Sequence, residues 1–180
     1  VFDRVTGKPL FPIEERPAPK SDVPGEATWP TQPFPLKPLP ISRRSVTGEE
    51  LSSVTPESKA FCEELFKSTT TRGMFTPWGL GLTLVMPGTP GGATWSGGAF
   101  DPRTSLYYVN ANEQRAVGLL EPQPGSSQAY RRNSKWGAYA RFQDPNGWPC
   151  VRPPWGTLNA IHLDSGVYRV GPPPSVVSIN

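Results

Sequence analysis

Apolar residues in this chain come in short runs separated by glycine and proline, a pattern typical of β-strands joined by tight turns. A fold dominated by strands is therefore expected. Strands are predicted on both sides of a turn at Thr6-Gly7 within residues 1–11, and over residues 81–86, which lie between Gly79 and Pro87. Another strand is predicted to end on Asn110. A further strand is predicted over residues 157–163 and is followed by a turn at 164–166. The polar stretch 118–146 is predicted to be irregular.

One helix is expected, over residues 55–68. Thr55 is a good N-cap, Pro56 suits the first helical position, and Glu57 complements the helix dipole. The residues predicted to share one face are Phe61, Cys62, Leu65 and Phe66. We expect this face to be buried against a sheet, and a helix that binds a partner protein is the alternative.

Residues 12–54 form a proline-rich insertion, in which prolines recur every few residues up to Pro40. Proline removes a backbone donor, so neither a helix nor a central strand is expected there. Phe11, Trp29 and Phe34 indicate that this extended segment packs on the domain surface.

Residues 87–110, PGTPGGATWSGGAFDPRTSLYYVN, combine four predicted features. Glycines bring the backbone close to another backbone or to a ligand, Trp95 follows, Asp101-Pro102 makes a turn, and a strand ends on Asn110. A carboxamide at a strand end can both donate and accept hydrogen bonds. The stretch is either part of a site or a hairpin with a packed tryptophan.

Three segments have similar sequences: VFDRVTGKPLF from Val1, AFDPRTSLYYV from Ala99 and AIHLDSGVYRV from Ala160. Each reads as strand, tight turn, strand. Repeated β units separated by insertions indicate a propeller. Because the spacing is irregular, the repeat is a suggestion only.

Composition narrows the possible functions. The chain has 180 residues, 24 Pro and 18 Gly, yet 11% aromatic residues, which favours a folded, turn-rich domain. The net charge is +3, and the densest basic clusters, Arg43-Arg44 and Arg131-Arg132, are expected to be solvated and too short to bind nucleic acid. No apolar run is long enough to span a membrane.

The single histidine, His162, excludes a multi-histidine metal site. Cys62 and Cys150 either form one disulfide or are two separate buried thiols. The chain begins on Val1-Phe2-Asp3, which already reads as a strand, and this suggests a start within a larger protein.

Five runs, in this order, resemble the pyrroloquinoline-quinone (PQQ) dependent dehydrogenases, especially the membrane-associated quinoprotein glucose dehydrogenases and their relatives. The runs are FDRVTGKPLFPIEERPAPKSDVPGE, TQPFP, GMFTP, TLVMPGTPGGATWSGGAFDP and NGWPCVRPPWGTLNAI. The similarity covers roughly residues 1–164. The motif that starts at Ala160 departs from the family, because it has His162 where Asp is usual and Val170 where Trp is usual.

The resemblance implies an eight-bladed β-propeller with PQQ near its axis. Residues 1–180 are then one partial propeller domain of about three to four blades, the last of them, 157–180, truncated or divergent. The family oxidises a sugar or an alcohol with a carboxylate base and a divalent ion, Ca²⁺ or Mg²⁺. The catalytic residues and the metal ligands are expected outside this chain.

Within the chain, the resemblance implies that Asn110 contacts PQQ, that Thr94 lies near it, and that Trp95 lines the pocket. The alternatives are a strand-end Asn that satisfies loop backbone and a Trp95 that only packs. Cys62 and Cys150 match family cysteine positions, and their pairing would suit an oxidising periplasm.

We therefore expect a segment of a periplasmic, possibly membrane-associated PQQ dehydrogenase that passes electrons to a quinone and is inactive on its own. Its partners are the substrate, the acceptor and the rest of the parent propeller, with no nucleic acid. One alternative is a non-catalytic propeller scaffold. Another is a carbohydrate-binding module that uses Trp29, Trp78 or Trp136.

Overall fold

The computed structural model describes residues 1–89, 91–93, 97–133, 135 and 140–168. Short strands dominate these residues, with one α-helix and a single turn of 3-10 helix at Gly48–Glu50. In chain order the elements are β1 (Ile13–Pro17), β2 (Thr31–Pro35), α1 (Pro56–Lys67), β3 (Thr83–Val85), β4 (Gly98–Asp101), β5 (Leu106–Asn112), β6 (Ala116–Gly118), β7 (Leu120–Pro122), β8 (Tyr130–Arg132), β9 (Gly156–His162) and β10 (Val167–Tyr168).

The largest sheet is antiparallel and has four strands in the order β10-β9-β5-β4. Its centre is the β5–β9 pair, whose register runs from Leu106↔His162 to Asn112↔Gly156. Four strands is the size of one propeller blade. The other sheets in the described residues, β1-β2, β3-β6 and β7-β8, are two-stranded. The all-β prediction with one helix is confirmed, whereas the expected three to four blades are not.

Three similar turns confirm the tight turn predicted for each of the three related segments, and the strands predicted on both sides are present in the second and third. Asp3 pairs with Lys8, Asp101 with Leu106 and His162 with Val167, so each turn has four residues. In all three the last turn residue has a positive φ: 71° at Gly7, 54° at Ser105 and 66° at Gly166. The first segment forms only one isolated bridge, Phe2↔Pro9, rather than two full strands.

The first two turns are also stabilised in the same way by an aspartate. The Asp3 carboxylate accepts hydrogen bonds from the Thr6 hydroxyl and from the backbone of Thr6 and Val5, and the Asp101 carboxylate accepts from the backbone of Arg103. These hydrogen bonds to the charged form lower the pKa of both carboxyls. His162 takes this place in the third turn, where its buried Nδ1 makes no hydrogen bond within the described residues and lies 3.9 Å from the Asp164 carboxylate.

Part of the extended proline-rich insertion folds back on itself as a two-stranded ribbon. β1 and β2 pair from Ile13↔Pro35 to Pro17↔Thr31. The Phe34 ring meets Phe75 edge-on at 5.7 Å between centroids. The expectation of packing is wrong for Trp29, which is 74% exposed because it lies in the loop beyond the paired residues.

The core joins α1 to the segment around Cys150. The helix begins as predicted, because the Thr55 hydroxyl accepts a hydrogen bond from Ser58 N. Cys62 and Cys150 form a disulfide, and both are fully buried. The buried residues around it are Val46, Leu51, Leu84, Met86, Val117, Phe142 and Val151, with Leu65 and Phe66 against them. Phe61 was predicted to share this buried face but is 41% exposed, because the face centres on Cys62 and Ser58.

Residues 118–146 are more regular than predicted. β7 and β8 form a hairpin from Leu120↔Arg132 to Pro122↔Tyr130, and β6 pairs with β3. β7 and β8 are only three residues long and include Glu121, Arg131 and Arg132, so they lack the alternating pattern that identifies a strand in sequence.

Candidate functional site

The glycine-rich loop lies directly against the segment that follows β5. Gly88 N donates to Gln114 O at 2.9 Å, and a Cβ built on Gly88 would lie 2.5 Å from Ala116 N. A Cβ on Gly91 would lie 2.5 Å from Gln114 O. The predicted close approach is therefore confirmed at Gly88 and Gly91, where what approaches is another backbone.

The next part of the loop is attached to β5 on both sides of Asn110. Gly92 and Asn112 exchange two backbone hydrogen bonds, of 3.0 and 3.1 Å. Gly98, the first residue of β4, pairs with Val109. Residues 93–97 therefore connect two points that are only three positions apart on β5. Gly92 and Gly97 both have positive φ values, 72° and 67°, which glycine adopts without strain.

The predicted site residues Thr94 and Trp95 belong to this loop but lie outside the described residues. Their roles stay predictions. The described residues show that both ends of the loop that carries them are attached next to Asn110.

Asn110 is exposed, and it lies within β5 rather than at its end. The predicted strand end was wrong, because β9 continues to pair through Ala111↔Thr157 and Asn112↔Gly156. Asn110 lies opposite Leu158, which is 57% exposed. Within the described part of the chain its carboxamide makes no hydrogen bond. The alternative in which Asn110 satisfies loop backbone has no support among these residues.

A buried charge network follows directly after β5. Glu113 is 8% exposed, and its carboxylate accepts hydrogen bonds from Arg43 N and Arg43 Nε at 3.0–3.2 Å. Arg43 also donates to the carbonyls of Arg152 and Pro154, just before β9. Arg43 thus ties the end of the proline-rich insertion to both central strands of the large sheet.

This network was missed in the sequence, where Arg43-Arg44 was predicted to be solvated. Arg43 is partly buried because its partner Glu113, seventy residues later, needs a counter-charge. The only sequence signal is the Glu113/Arg115 pair, two opposite charges immediately after an apolar strand and before another.

Arg115 is the most buried charged residue of this network, at 2% exposed. Its Nη1 donates to Glu113 O, and its Nη2 lies 3.5 Å from the Glu113 carboxylate. Burial, and to a smaller extent nearby Arg43, lower the pKa of the Arg115 guanidinium to about 10, although Glu113 and Glu50 act in the opposite direction. The surroundings of Arg115 therefore favour an added negative charge.

The structure also bears on the other candidate residues. Arg132 stacks over the Trp78 ring at 5.2 Å, which occupies one face of a tryptophan considered for carbohydrate binding. Trp136 lies outside the described residues.

In the described ranges no cluster of three or more His, Cys, Asp or Glu side chains could hold a metal ion. None of the helices in these ranges is long and apolar enough to cross a bilayer.

Short antiparallel sheets, one of them blade-sized, with a glycine loop attached beside an exposed asparagine, indicate a propeller-type domain with a polar site at one sheet. The comparison with known families agrees. The chain matches the family described as "PQQ: Glucose/ethanol/alcohol dehydrogenase, beta-propeller domain" over residues 1–171. The chain belongs to this family of quinoprotein dehydrogenases.

Three relatives illustrate the range of substrates in the family. The chain is 31% identical to a quinate/shikimate dehydrogenase (quinone) of Acinetobacter baylyi, over 91% of this chain and 22% of the relative. It is 29% identical to a glycerol dehydrogenase large subunit of Gluconobacter thailandicus (92% and 26%) and 28% identical to a quinoprotein glucose dehydrogenase of Escherichia coli (96% and 24%). The chain thus spans about a quarter of their length. No solved structure matches it.

Proposed function

We propose that this chain is part of the cofactor-binding wall of a PQQ-dependent dehydrogenase that oxidises a sugar, polyol or alcohol and passes the electrons to a quinone. One observation carries the proposal. The loop that holds Thr94 and Trp95 is attached to β5 at Gly92↔Asn112 and Gly98↔Val109, on either side of Asn110. The described ends of the loop that the family resemblance connects with PQQ are thus attached beside Asn110.

Asn110 supplies the polar part of this wall. Its carboxamide is exposed, has no hydrogen-bond partner in the described residues, and can both donate and accept. A quinone cofactor with ring carbonyls and carboxylates offers matching partners. The rigid β5–β9 pair fixes the Asn110 backbone, so its side chain is presented with little loss of entropy on binding.

PQQ supplies the redox chemistry, because it accepts two electrons from the substrate. The role of this chain is then to hold the cofactor. In this proposal Asn110 and Thr94 bind polar atoms at the edge of the cofactor, and Trp95 excludes water from its ring. The base and the ligands of the divalent ion belong to other parts of the parent protein, and the isolated chain is inactive.

A location in the periplasm, either free or associated with the membrane, is part of the proposal. The buried Cys62–Cys150 disulfide supports it, because disulfides persist in oxidising compartments and are rare in the cytosol.

The activity is tested with the full-length protein supplied with PQQ and Ca²⁺. Dye-linked oxidation is measured with quinate, glycerol, glucose and simple alcohols, the substrates suggested by the relatives' names and the family description. Turnover of one of them, dependent on PQQ, is the expected result. PQQ binding without turnover of any of them contradicts the dehydrogenase, and absence of PQQ binding favours the non-catalytic scaffold.

A further inference from the structure

A cleft of about 320 Å³ lies between two segments, residues 74–78 and residues 85–89. This volume is at the lower end of the range of small-molecule binding sites, which starts at about 300 Å³. Most of the described side chains on its walls are aromatic, sulfur-containing or aliphatic: Met74, Phe75, Trp78, Val85, Met86 and Pro87. The cleft therefore suits an apolar molecule better than a charged one.

The cleft adjoins the proposed PQQ wall. The Pro87 side chain lies 3.9 Å from the position of a Cβ on Gly92, and Gly92 pairs with Asn112 at the end of β5. Gly91 N also donates to Gly88 O at 2.7 Å, so the cleft wall is held against this end of the loop. A molecule in the cleft therefore lies beside one attached end of the glycine-rich loop.

Phe75 has a strained backbone and a ring that is still accessible. Its φ of 60° is rare for a residue with a bulky side chain, and such strain is concentrated at functional sites. The Thr76 hydroxyl holds this turn, because it accepts from Arg72 N at 2.9 Å and donates to Gly73 O at 2.6 Å. The Phe75 ring is 45% exposed, and Phe34 supports it edge-on. The turn thus keeps an aromatic ring available at the cleft.

The polar groups of the cleft favour a flat ring with few hydrogen-bonding atoms. Its described walls have two hydroxyl residues, Thr76 and Thr89, and the Thr76 hydroxyl is already used within the turn. The Trp78 indole N–H has no hydrogen-bond partner in the described residues and is not one of their buried unpaired atoms, so it is an accessible donor. A sugar or polyol needs more partners than these walls offer. A quinone needs only donors to its two carbonyl oxygens.

We propose that this cleft binds the ring of the quinone that accepts the electrons. Phe75 contacts the face of the ring, Met74 and Met86 contact its edge, and the Trp78 N–H donates to one carbonyl oxygen. Aromatic and methionine side chains both contact flat rings favourably. The inference rests on the proposed function, in which the electrons pass to a quinone.

The test is calorimetric titration of the full-length protein, loaded with oxidised PQQ, with 2,3-dimethoxy-5-methyl-1,4-benzoquinone. No redox reaction interferes, because cofactor and probe are both oxidised and no substrate is present. The control compound is 3,4-dimethoxytoluene, which has the same ring substituents without the two carbonyl oxygens. We expect the quinone to bind about five- to tenfold more tightly than the control, the difference typical of one hydrogen bond.

Two substitutions locate the site. Phe75→Leu removes the ring but keeps an apolar side chain, and it should weaken quinone binding about three- to tenfold. Met74→Gln places a polar group of similar length in the apolar wall and should also weaken binding. Phe61→Leu is the matched control, because Phe61 is 41% exposed but lies on α1 and not on the cleft walls. Unchanged melting temperature and PQQ affinity in all three variants show that the fold and the cofactor wall are intact.

Three results would overturn the proposal. These are no saturable binding of the quinone at millimolar concentration, equal binding of 3,4-dimethoxytoluene, and unchanged quinone affinity in both cleft variants. In the last case, a raised KM for the substrate in the dye-linked assay would assign the cleft to the substrate instead. If PQQ does not bind, the proposed function fails, and titration of the PQQ-free protein with the same compounds and variants still decides whether the cleft binds a quinone.

Discussion

Gly92 and Asn112 exchange a pair of backbone hydrogen bonds across a distance of twenty residues in the chain. Together with the Gly98↔Val109 pair, they attach the glycine-rich loop to β5, one of the two central strands of the large sheet. The loop therefore has little freedom at its two ends, and it is attached on both sides of Asn110. This relationship connects the fold to the proposed cofactor wall.

Replacement of Gly88 by Ala should destabilise the protein because the added Cβ lies 2.5 Å from Ala116 N and 2.7 Å from Arg115 C. Backbone on both sides must move, and overpacking of this kind costs about 1–3 kcal/mol. Gly81→Ala is the matched control, since nothing lies within 4 Å of its Cβ and its φ is not positive. Thermal unfolding of the full-length variants measures the difference, and equal melting temperatures for the two contradict the close approach.

The backbone conformation at position 105 suits glycine better than the serine that is present. Its φ of 54° strains a residue that carries a Cβ by about 1–2 kcal/mol, and the entropy lost by glycine on folding offsets about 0.5–1 kcal/mol of that gain. Denaturant unfolding of Ser105→Gly should therefore show an unchanged or slightly increased stability.

The equivalent turns provide the reverse test. Gly7→Ser, with nothing within 4 Å of its Cβ, should lose only the cost of the positive φ, about 1 kcal/mol. Gly166→Ser should lose more, because its Cβ also lies 2.9 Å from Lys37 Cβ. An equal or larger loss at Gly7 would contradict the close approach of Lys37 to Gly166.

Loss of the Cys62–Cys150 disulfide should strongly lower stability. It closes a loop of 88 residues in sequence separation, and loop closure of that length contributes about 4–5 kcal/mol through the unfolded state. The double variant Cys62→Ala/Cys150→Ala should melt well below the wild type. Added reductant should lower the melting temperature of the wild type alone, and an equal response in both proteins argues against the disulfide.

Arg43 and Glu113 should be energetically coupled. Arg43→Ala removes the Nε contact with the Glu113 carboxylate, whereas Arg43 N still donates to it, and loss of a hydrogen bond to a charged group costs about 1.5–3 kcal/mol. Glu113→Gln in the same background should recover part of this loss because the buried charge is gone. A double-mutant cycle on denaturant unfolding measures the coupling, and additive effects contradict the network.

The sequence predicts most accurately where local chemistry decides the structure. Thr55 and Pro56 determine the start of the helix, and positive-φ glycines mark two of the three related turns. Prediction from the sequence fails where the structure of a segment depends on a partner far away in the chain. β5 continues past Asn110 because β9, about fifty residues later, pairs with it, and Arg43 is held by Glu113 for the same reason. The pairing of Cys62 with Cys150 also depends on the packing of α1, which no spacing reveals.

The candidate site was likewise predictable only in part from the sequence. Asn110, Thr94 and Trp95 were identified by family resemblance, and the described residues add that their segments are attached side by side. Arg43, by contrast, was missed because its partners Glu113 and Arg152 come from segments that meet it only in the folded chain.

The most direct test of the account is the affinity of the full-length protein for PQQ when Asn110 is replaced by Ala. Loss of a hydrogen-bonding contact of about 1–1.5 kcal/mol predicts a dissociation constant roughly five- to tenfold higher. The control is Asn146→Ala, which removes an exposed carboxamide from a turn remote in sequence. The account predicts that only Asn110→Ala weakens PQQ binding, and equal PQQ affinity in wild type and both variants would contradict it.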